Sequence, residues 1–265
     1  MRTTVGAMVA NRIYAFVYGA EGVGKTLLPM TLADETGHGV AYVTAETRGP
    51  TSLVTAGWPS DIPVEVLPPG GEDPFPPAAA AVEAFTKDKS IRCICLDGLT
   101  VMTGRAVDYR TDGAGEKSME YDGWQWLLAE FRALEILCEK AVRAGKSVVM
   151  TAWESPPTYE TTLGGEALKD EGRPMLQGKA KFWLPGGADV VARMTSTTIK
   201  DPKTKELTFK GQLQVHRRND WLAKTRWRLP DPCPADLRRI LALVQGQAQK
   251  AQPSVVRRPV PQQVK

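Results

Sequence analysis

The chain has 265 residues, 42% of them hydrophobic and 24% charged, and its 34 Lys and Arg against 30 Asp and Glu leave a net charge of +4. That length suffices for one sizeable α/β domain, and no apolar run approaches the roughly 20 residues of a membrane-spanning helix. The opening MRTTVGAMVANR lacks the apolar stretch and cleavage site of a secretory signal, so no membrane association is expected and the cytoplasm is the expected compartment.

In chain order, RIYAFVYG (residues 12–19) reads as a buried strand ending in glycine. A helix is expected from about Gly24 to Glu35, distorted at Pro29, where the ring removes a donor and crowds the preceding turn. GVAYVTAE, ending at Glu46, is a second buried strand, and VEVLPPGGEDPFPP is a short strand breaking into a Pro/Gly loop. AAAAVEAFTKDK is helical, and SIRCICLDGLT is another buried strand with Cys93 and Cys95 facing one side. Together with Cys138 and Cys233 these cysteines lack metal-ligand spacing and read as small core hydrophobes, and two histidines, His38 and His216, do not build a zinc site.

GRAVDYRTDGAGEKS reads as polar and turn-rich, and residues 119–144 as the longest helix, with Trp126, Leu127, Phe131, Leu134 and Leu137 at spacings of three and four. KSVVMTAWE is a strand, and residues 155–187 read as a long loop without periodicity. ADVVARMTST, LTFKGQLQVH and WLAKTRWRL alternate like antiparallel or mixed strands, and PADLRRILALVQGQ closes as a helix headed by Pro234 and Asp236. Residues 246–265 carry Lys250, Arg257, Arg258 and Lys265 with no acid. The fold class expected is α/β: a mostly parallel sheet with helices on both faces and an antiparallel C-terminal extension.

Gly19-Ala20-Glu21-Gly22-Val23-Gly24-Lys25-Thr26 fits G-x-x-x-x-G-K-[ST] between a strand and a helix. Glycines let the loop turn its N–H groups inward onto anionic oxygens, and a following helix aims its positive end at the same spot. Lys25 is assigned to the β- and γ-phosphates of ATP and the Thr26 hydroxyl to Mg²⁺. The apolar strand IRCICLD then offers Asp97 as the acid that orients the metal, with a helix N-cap as its alternative role. Hydrolysis also needs a carboxylate to take the proton of water, and two follow strands: Glu46 and Glu154. Glu21, inside the loop, is expected to make local contacts.

These stretches resemble the RecA-like ATPases: a glutamate third in the phosphate loop, then VTAETRGPTSL, ICLDGLTVM and VVMTAWE, over roughly residues 12–229. The nearest likeness is to short phage-encoded Sak-type single-strand annealing ATPases. The Gln/Pro/Val/Arg-rich composition of 247–265 predicts a disordered basic tail, while the resemblance implies a RecA-like P-loop core, assigned to residues 1–246, and Glu46 as the catalytic base. It also implies a homo-oligomer (ring or filament), single-stranded DNA as partner, and a bacterial host's cytoplasm as location. The family ends its last core strand with an amide or histidine that senses the γ-phosphate; this chain has Trp153 and Glu154 there, with Glu154 the candidate sensor.

The resemblance places DNA-binding loops at 104–118 and 155–187. The second holds Arg173, Lys179 and Lys181 among Tyr159, Phe182 and Trp183, a mixture suited to stacked bases and a phosphate backbone, or to a surface loop whose rings cover the core. The stretch 200–228 is the most basic, with Lys200, Lys203, Lys205, Arg217 and Arg218 among its cations. Lys224 and Arg226 are the candidates for reaching a neighbouring subunit's γ-phosphate; a charged edge strand is the alternative. The tail would solubilise the chain, attract DNA, or dock a single-strand binding protein. The function expected is thus a DNA-dependent ATPase of the recombinase or annealing type. The alternatives are a helicase-type ring motor, a small-molecule P-loop kinase lacking a recognisable arginine-rich lid, and a nucleotide-gated binding module without hydrolysis.

Overall fold

The computed structural model describes residues 12–114, 118–162, 165–200, 207–218 and 220–250. Its centre is a parallel block assembled from β1 (Tyr14–Gly19), β2 (Val40–Thr44), β3 (Val64–Val66), β4 (Cys93–Asp97) and β5 (Ser147–Ser155). These strands lie in the order β1-β5-β4-β2-β3. On the other side of β1, β9 (Val190–Lys200) adds in parallel, and β10 (Leu207–Gln214) and β12 (Cys233–Pro234) extend the sheet antiparallel. The α/β class expected from the sequence is what the structure shows, antiparallel C-terminal extension included.

Side-chain alternation along each strand divides the core in two. Tyr14, Phe16 and Tyr18 of β1 pack with α2 (Phe75–Lys87), α3 (Leu99–Ala114), α4 (Tyr121–Arg143) and α5 (Ala180–Gly187). Ile13, Ala15 and Val17 pack on the opposite face with the segment after the phosphate loop, α1 (Thr51–Thr55) and α6 (Leu237–Lys250). Cys93 and Cys95 share that second face, as their spacing predicts, and all four cysteines are buried and free. Asp236 heads α6, its Oδ1 accepting from the Arg239 N–H at 3.0 Å.

Several expectations are corrected. The helix expected over 24–35 is one 3-10 turn, Leu28–Leu32, with Pro29 in its first positions. The Leu28 N–H donates to the Gly24 carbonyl at 3.1 Å, one α-helical bond, but Pro29 has no N–H to return to the Lys25 carbonyl, so the α-helical ladder stops there. The polar stretch after residue 104 is the body of α3, carried by buried Leu99, Met102 and Ala106 at helical spacing. The described residues of the segment 155–187 form regular elements: β6 (Thr158–Thr162) and β7 (Gly165–Asp170) pair antiparallel apart from the main sheet, β8 (Arg173–Pro174) pairs with β5, and α5 follows. Of WLAKTRWRL, β11 (Lys224–Thr225) pairs against β9 and Trp221 makes isolated bridges to Gly172 and Arg218, so no continuous strand forms. Helix α6 runs to Lys250, four residues into the stretch assigned to the tail, and 251–265 lie outside the described residues, as do Lys203 and Lys205. Among the described residues no helix is long and apolar enough to cross a membrane.

Candidate nucleotide site

Glu46, Asp97 and the phosphate loop gather where β1, β2, β4 and β5 end, the edge of a parallel sheet at which ligands characteristically sit. After Gly19 the chain turns through Gly24 at φ 95°, a conformation a β-carbon would strain. Ala20, Glu21 and Gly22 are exposed and Val23 and Gly24 half-buried, so the loop opens to solvent. Lys25 is 9% exposed, and its ammonium donates to the Gly19 and Ala20 carbonyls at 2.9 and 2.7 Å. Burial lowers its pKa, opposed by the carboxylates of Asp97, Glu46, Glu154 and Glu21. Because the α-helix expected behind the loop is absent, Lys25 and the loop amides carry the positive potential without a long helix dipole.

The Thr26 hydroxyl donates to Asp97 Oδ2 at 2.9 Å, and the Thr151 hydroxyl donates to Oδ1 at 2.6 Å. Thr151 Oγ in turn accepts from the Gly98 N–H at 2.9 Å. Asp97 is 4% exposed; burial pushes its pKa up, against the hydroxyls of Thr151 and Thr26 and the Lys25 charge. A hydroxyl and a carboxylate oxygen side by side are the hard oxygen donors that Mg²⁺ prefers, so Thr26 and Asp97 fit the ion.

Strand parity brings Glu46 to the same place. Val40 and Tyr42 face the side of the sheet that carries the phosphate loop, Thr44 pairs with Asp97 across the β2–β4 register, and Glu46 follows two residues later. Its carboxyl lies against Gly98, where φ is 80° and an added methyl would fall 2.9 Å from Glu46 Cγ and Oε1. Trp153 shares the cavity with this carboxyl, and its indole N–H favours the charged form. Burial raises the Glu46 pKa, Asp97 and Glu21 adding to the effect while Lys25 and Trp153 oppose it. Glu46, Lys25, Thr26, Asp97, Thr151 and Trp153 line one cavity of about 490 Å³, with Glu21, Arg48, Gly49 and Ser52 at its wall.

Thr151, Trp153, Arg48 and Ser52 were not singled out from sequence. Parity along β5 marks the first two, because Val149 faces the phosphate-loop side while Met150 and Ala152 face away. The same parity sends Glu154 elsewhere. Its carboxylate takes Arg193 at 2.8 and 3.3 Å, and that guanidinium lies 3.5 Å over the Trp221 ring. Glu154, the candidate sensor, is thus held in an ion pair with Arg193, and Trp153 rather than Glu154 lines the cavity.

The other cations are largely engaged within the chain. Arg173 is 13% exposed, bonded to the Glu171 carbonyl at 3.2 Å and seated 4.5 Å over the Phe182 ring. Trp183 packs on the core under Arg132, and Arg217 and Arg218 pair with Glu171 and Asp231 at 2.6 and 2.7 Å while staying more than half exposed. Lys224 donates to the Gly186 carbonyl at 2.6 Å, and Arg226 faces Asp189 at 3.6 Å. Lys179 and Lys181 instead border a groove of about 430 Å³ between α4 and α5, beside exposed Tyr121 and Phe182.

Compared with known proteins, residues 11–227 match the family model AAA_24, described as an AAA domain. Among solved structures the chain is similar to the KaiC-like protein PH0186 from the hyperthermophilic archaeon Pyrococcus horikoshii OT3, at 15% identity over 84% of each chain with a TM-score of 0.46. No curated protein matches it.

Proposed function

The chain belongs to the AAA-domain family, a family of P-loop ATPases, and on that premise we propose that it hydrolyses ATP with Glu46 as the base and does so in the service of single-stranded DNA. One observation carries the hydrolytic half: a half-buried carboxylate that makes no ion pair among the described residues shares a cavity with the phosphate-loop lysine and the Thr26–Asp97 oxygen pair. Lys25 would exchange its two carbonyl acceptors for phosphate oxygens. Thr26 and Asp97 would hold Mg²⁺, whose charge offsets that of the phosphates. Glu46, set against the Gly98 surface with Trp153 beside it in the cavity, would take the proton of the attacking water.

The DNA half of the reading is supported by the α4–α5 groove. It sits beside the segment after β5, where the RecA-like resemblance places a DNA-binding loop, and combines exposed Tyr121 and Phe182 with Lys179 and Lys181. Rings offer every base a stacking face while cations follow the backbone. Annealing or strand exchange by a phage-encoded homo-oligomer, with a single-strand binding protein as a further partner, completes the reading. The test is the ATPase rate with and without single-stranded DNA across a salt series. Stimulation that fades as salt rises supports it; a rate indifferent to DNA, with no DNA retention at low salt, overturns the DNA half and leaves the ATPase.

A further inference from the structure

The two basic residues expected to act across a subunit interface are occupied at home, Lys224 on the Gly186 carbonyl and Arg226 beside Asp189. Inside the nucleotide cavity stands another cation, Arg48. It is the third residue of a turn that Glu46 opens, closed by the Gly49 N–H on the Glu46 carbonyl at 3.1 Å. The Arg48 carbonyl accepts from the Thr51 N–H and hydroxyl at 3.2 and 2.6 Å, which starts α1. Gly49 rests against Asp97, where an added methyl would lie 3.3 Å from Oδ2. The backbone at Arg48 is thus pinned on both sides, whereas its exposed guanidinium makes no ion pair or hydrogen bond among the described residues.

The charged side chains of this cavity are Glu21, Glu46 and Asp97 against Lys25 and Arg48, one negative charge in excess before a nucleotide enters. A triphosphate adds about four more, and its outer oxygens match the planar fork of a guanidinium. We propose that Arg48 is a catalytic residue acting within its own subunit, its guanidinium binding the γ-phosphoryl oxygens of the ATP that Lys25 holds and Glu46 helps to hydrolyse. This rests on the reading of the cavity as an ATP-hydrolysing site. The water oxygen bonds to the γ-phosphorus, the bond from that phosphorus to the β–γ bridging oxygen breaks, the water proton passes to Glu46, and ADP and inorganic phosphate leave. Arg48 exchanges no proton; it meets the charge that the departing phosphoryl group spreads over its equatorial oxygens.

The experiment compares ATP turnover, ADP affinity and melting temperature of wild type, Arg48→Ala, Arg48→Lys and the double variant Lys224→Ala/Arg226→Ala. Arg48→Ala is expected to lose about 1,000-fold or more in kcat. Its ADP affinity is expected to stay within about threefold, its melting to be unchanged, and free guanidinium in the buffer to restore part of the rate. Arg48→Lys recovers only part, lacking the fork, and the double variant stays within about threefold of wild type. Arg48→Ala turning over like wild type overturns the proposal. So does a parallel loss of ADP affinity and melting temperature without guanidinium rescue, which marks a structural turn residue. A wild type that hydrolyses no ATP overturns the reading of the cavity itself, and does so before any variant is made.

Discussion

Glu46 reaches the cavity because a strand's alternation continues two residues past its last hydrogen-bonded pair, and Gly98 leaves room for its carboxyl. Glu46→Gln keeps the shape and removes the base, so nucleotide binding should persist while kcat falls about 100- to 10,000-fold, read from ADP titration beside steady-state turnover. Lys25→Ala should weaken binding and turnover together. Gly98→Ala tests position rather than chemistry: the added methyl collides with the Glu46 side chain, so kcat should fall with ADP affinity retained. Trp153→Phe removes the indole N–H that favours the charged form of Glu46 while keeping an aromatic surface, and a loss of about tenfold in kcat is expected, equivalent to about 1.4 kcal/mol.

Helix α4 carries a different kind of carboxylate. Glu135 is 7% exposed and lies against Gly187 of α5, close enough that a methyl on that glycine would collide with its Oε1. Burial pushes its pKa up to about 7, with Glu139 adding to the rise and Arg132 opposing it. An unfolded glutamate titrates near 4.3, so between roughly pH 4.5 and 7 the folded chain binds the extra proton and loses stability as pH rises. Glu135→Gln should match wild type in stability near pH 4 and exceed it at pH 8 by about 1–3 kcal/mol. Thermal melts at the two pH values check this. Elements also show where sequence was readable. The β-strands of the main sheet carry runs of apolar residues and stood out; α3 did not, because Gly104, Asp108 and Arg110 dilute a stripe of buried Leu99, Met102 and Ala106 backed by half-buried Val101 and Val107. The antiparallel β6 and β7 escaped because TYETT and GEALKD lack a sustained apolar alternation and pair apart from the main sheet.

At the scale of the molecule, the parallel order and the gathering of four strand ends were implicit in the β/α alternation, and with them Lys25, Thr26, Asp97 and Glu46. What lay beyond reach was the fate of long charged side chains, since spacing says nothing about which carbonyl or carboxylate a lysine or arginine finds. Lys179 and Lys181 stayed at the α4–α5 groove while Arg173 was absorbed under Phe182. If that groove holds DNA, replacing both lysines by alanine should weaken binding and flatten the plot of log affinity against log salt by about 1.4, at 0.7 per contact to a single strand. Filter binding over a salt series gives the slope. The bonds from Lys25 to the carbonyls of Gly19 and Ala20 have one more consequence. When spent nucleotide departs, the sequestered ammonium has acceptors waiting within its own loop, so emptying the site strands no bare cation there. Discharge of ADP is thereby cushioned, and the engine can reset without first recruiting solvent.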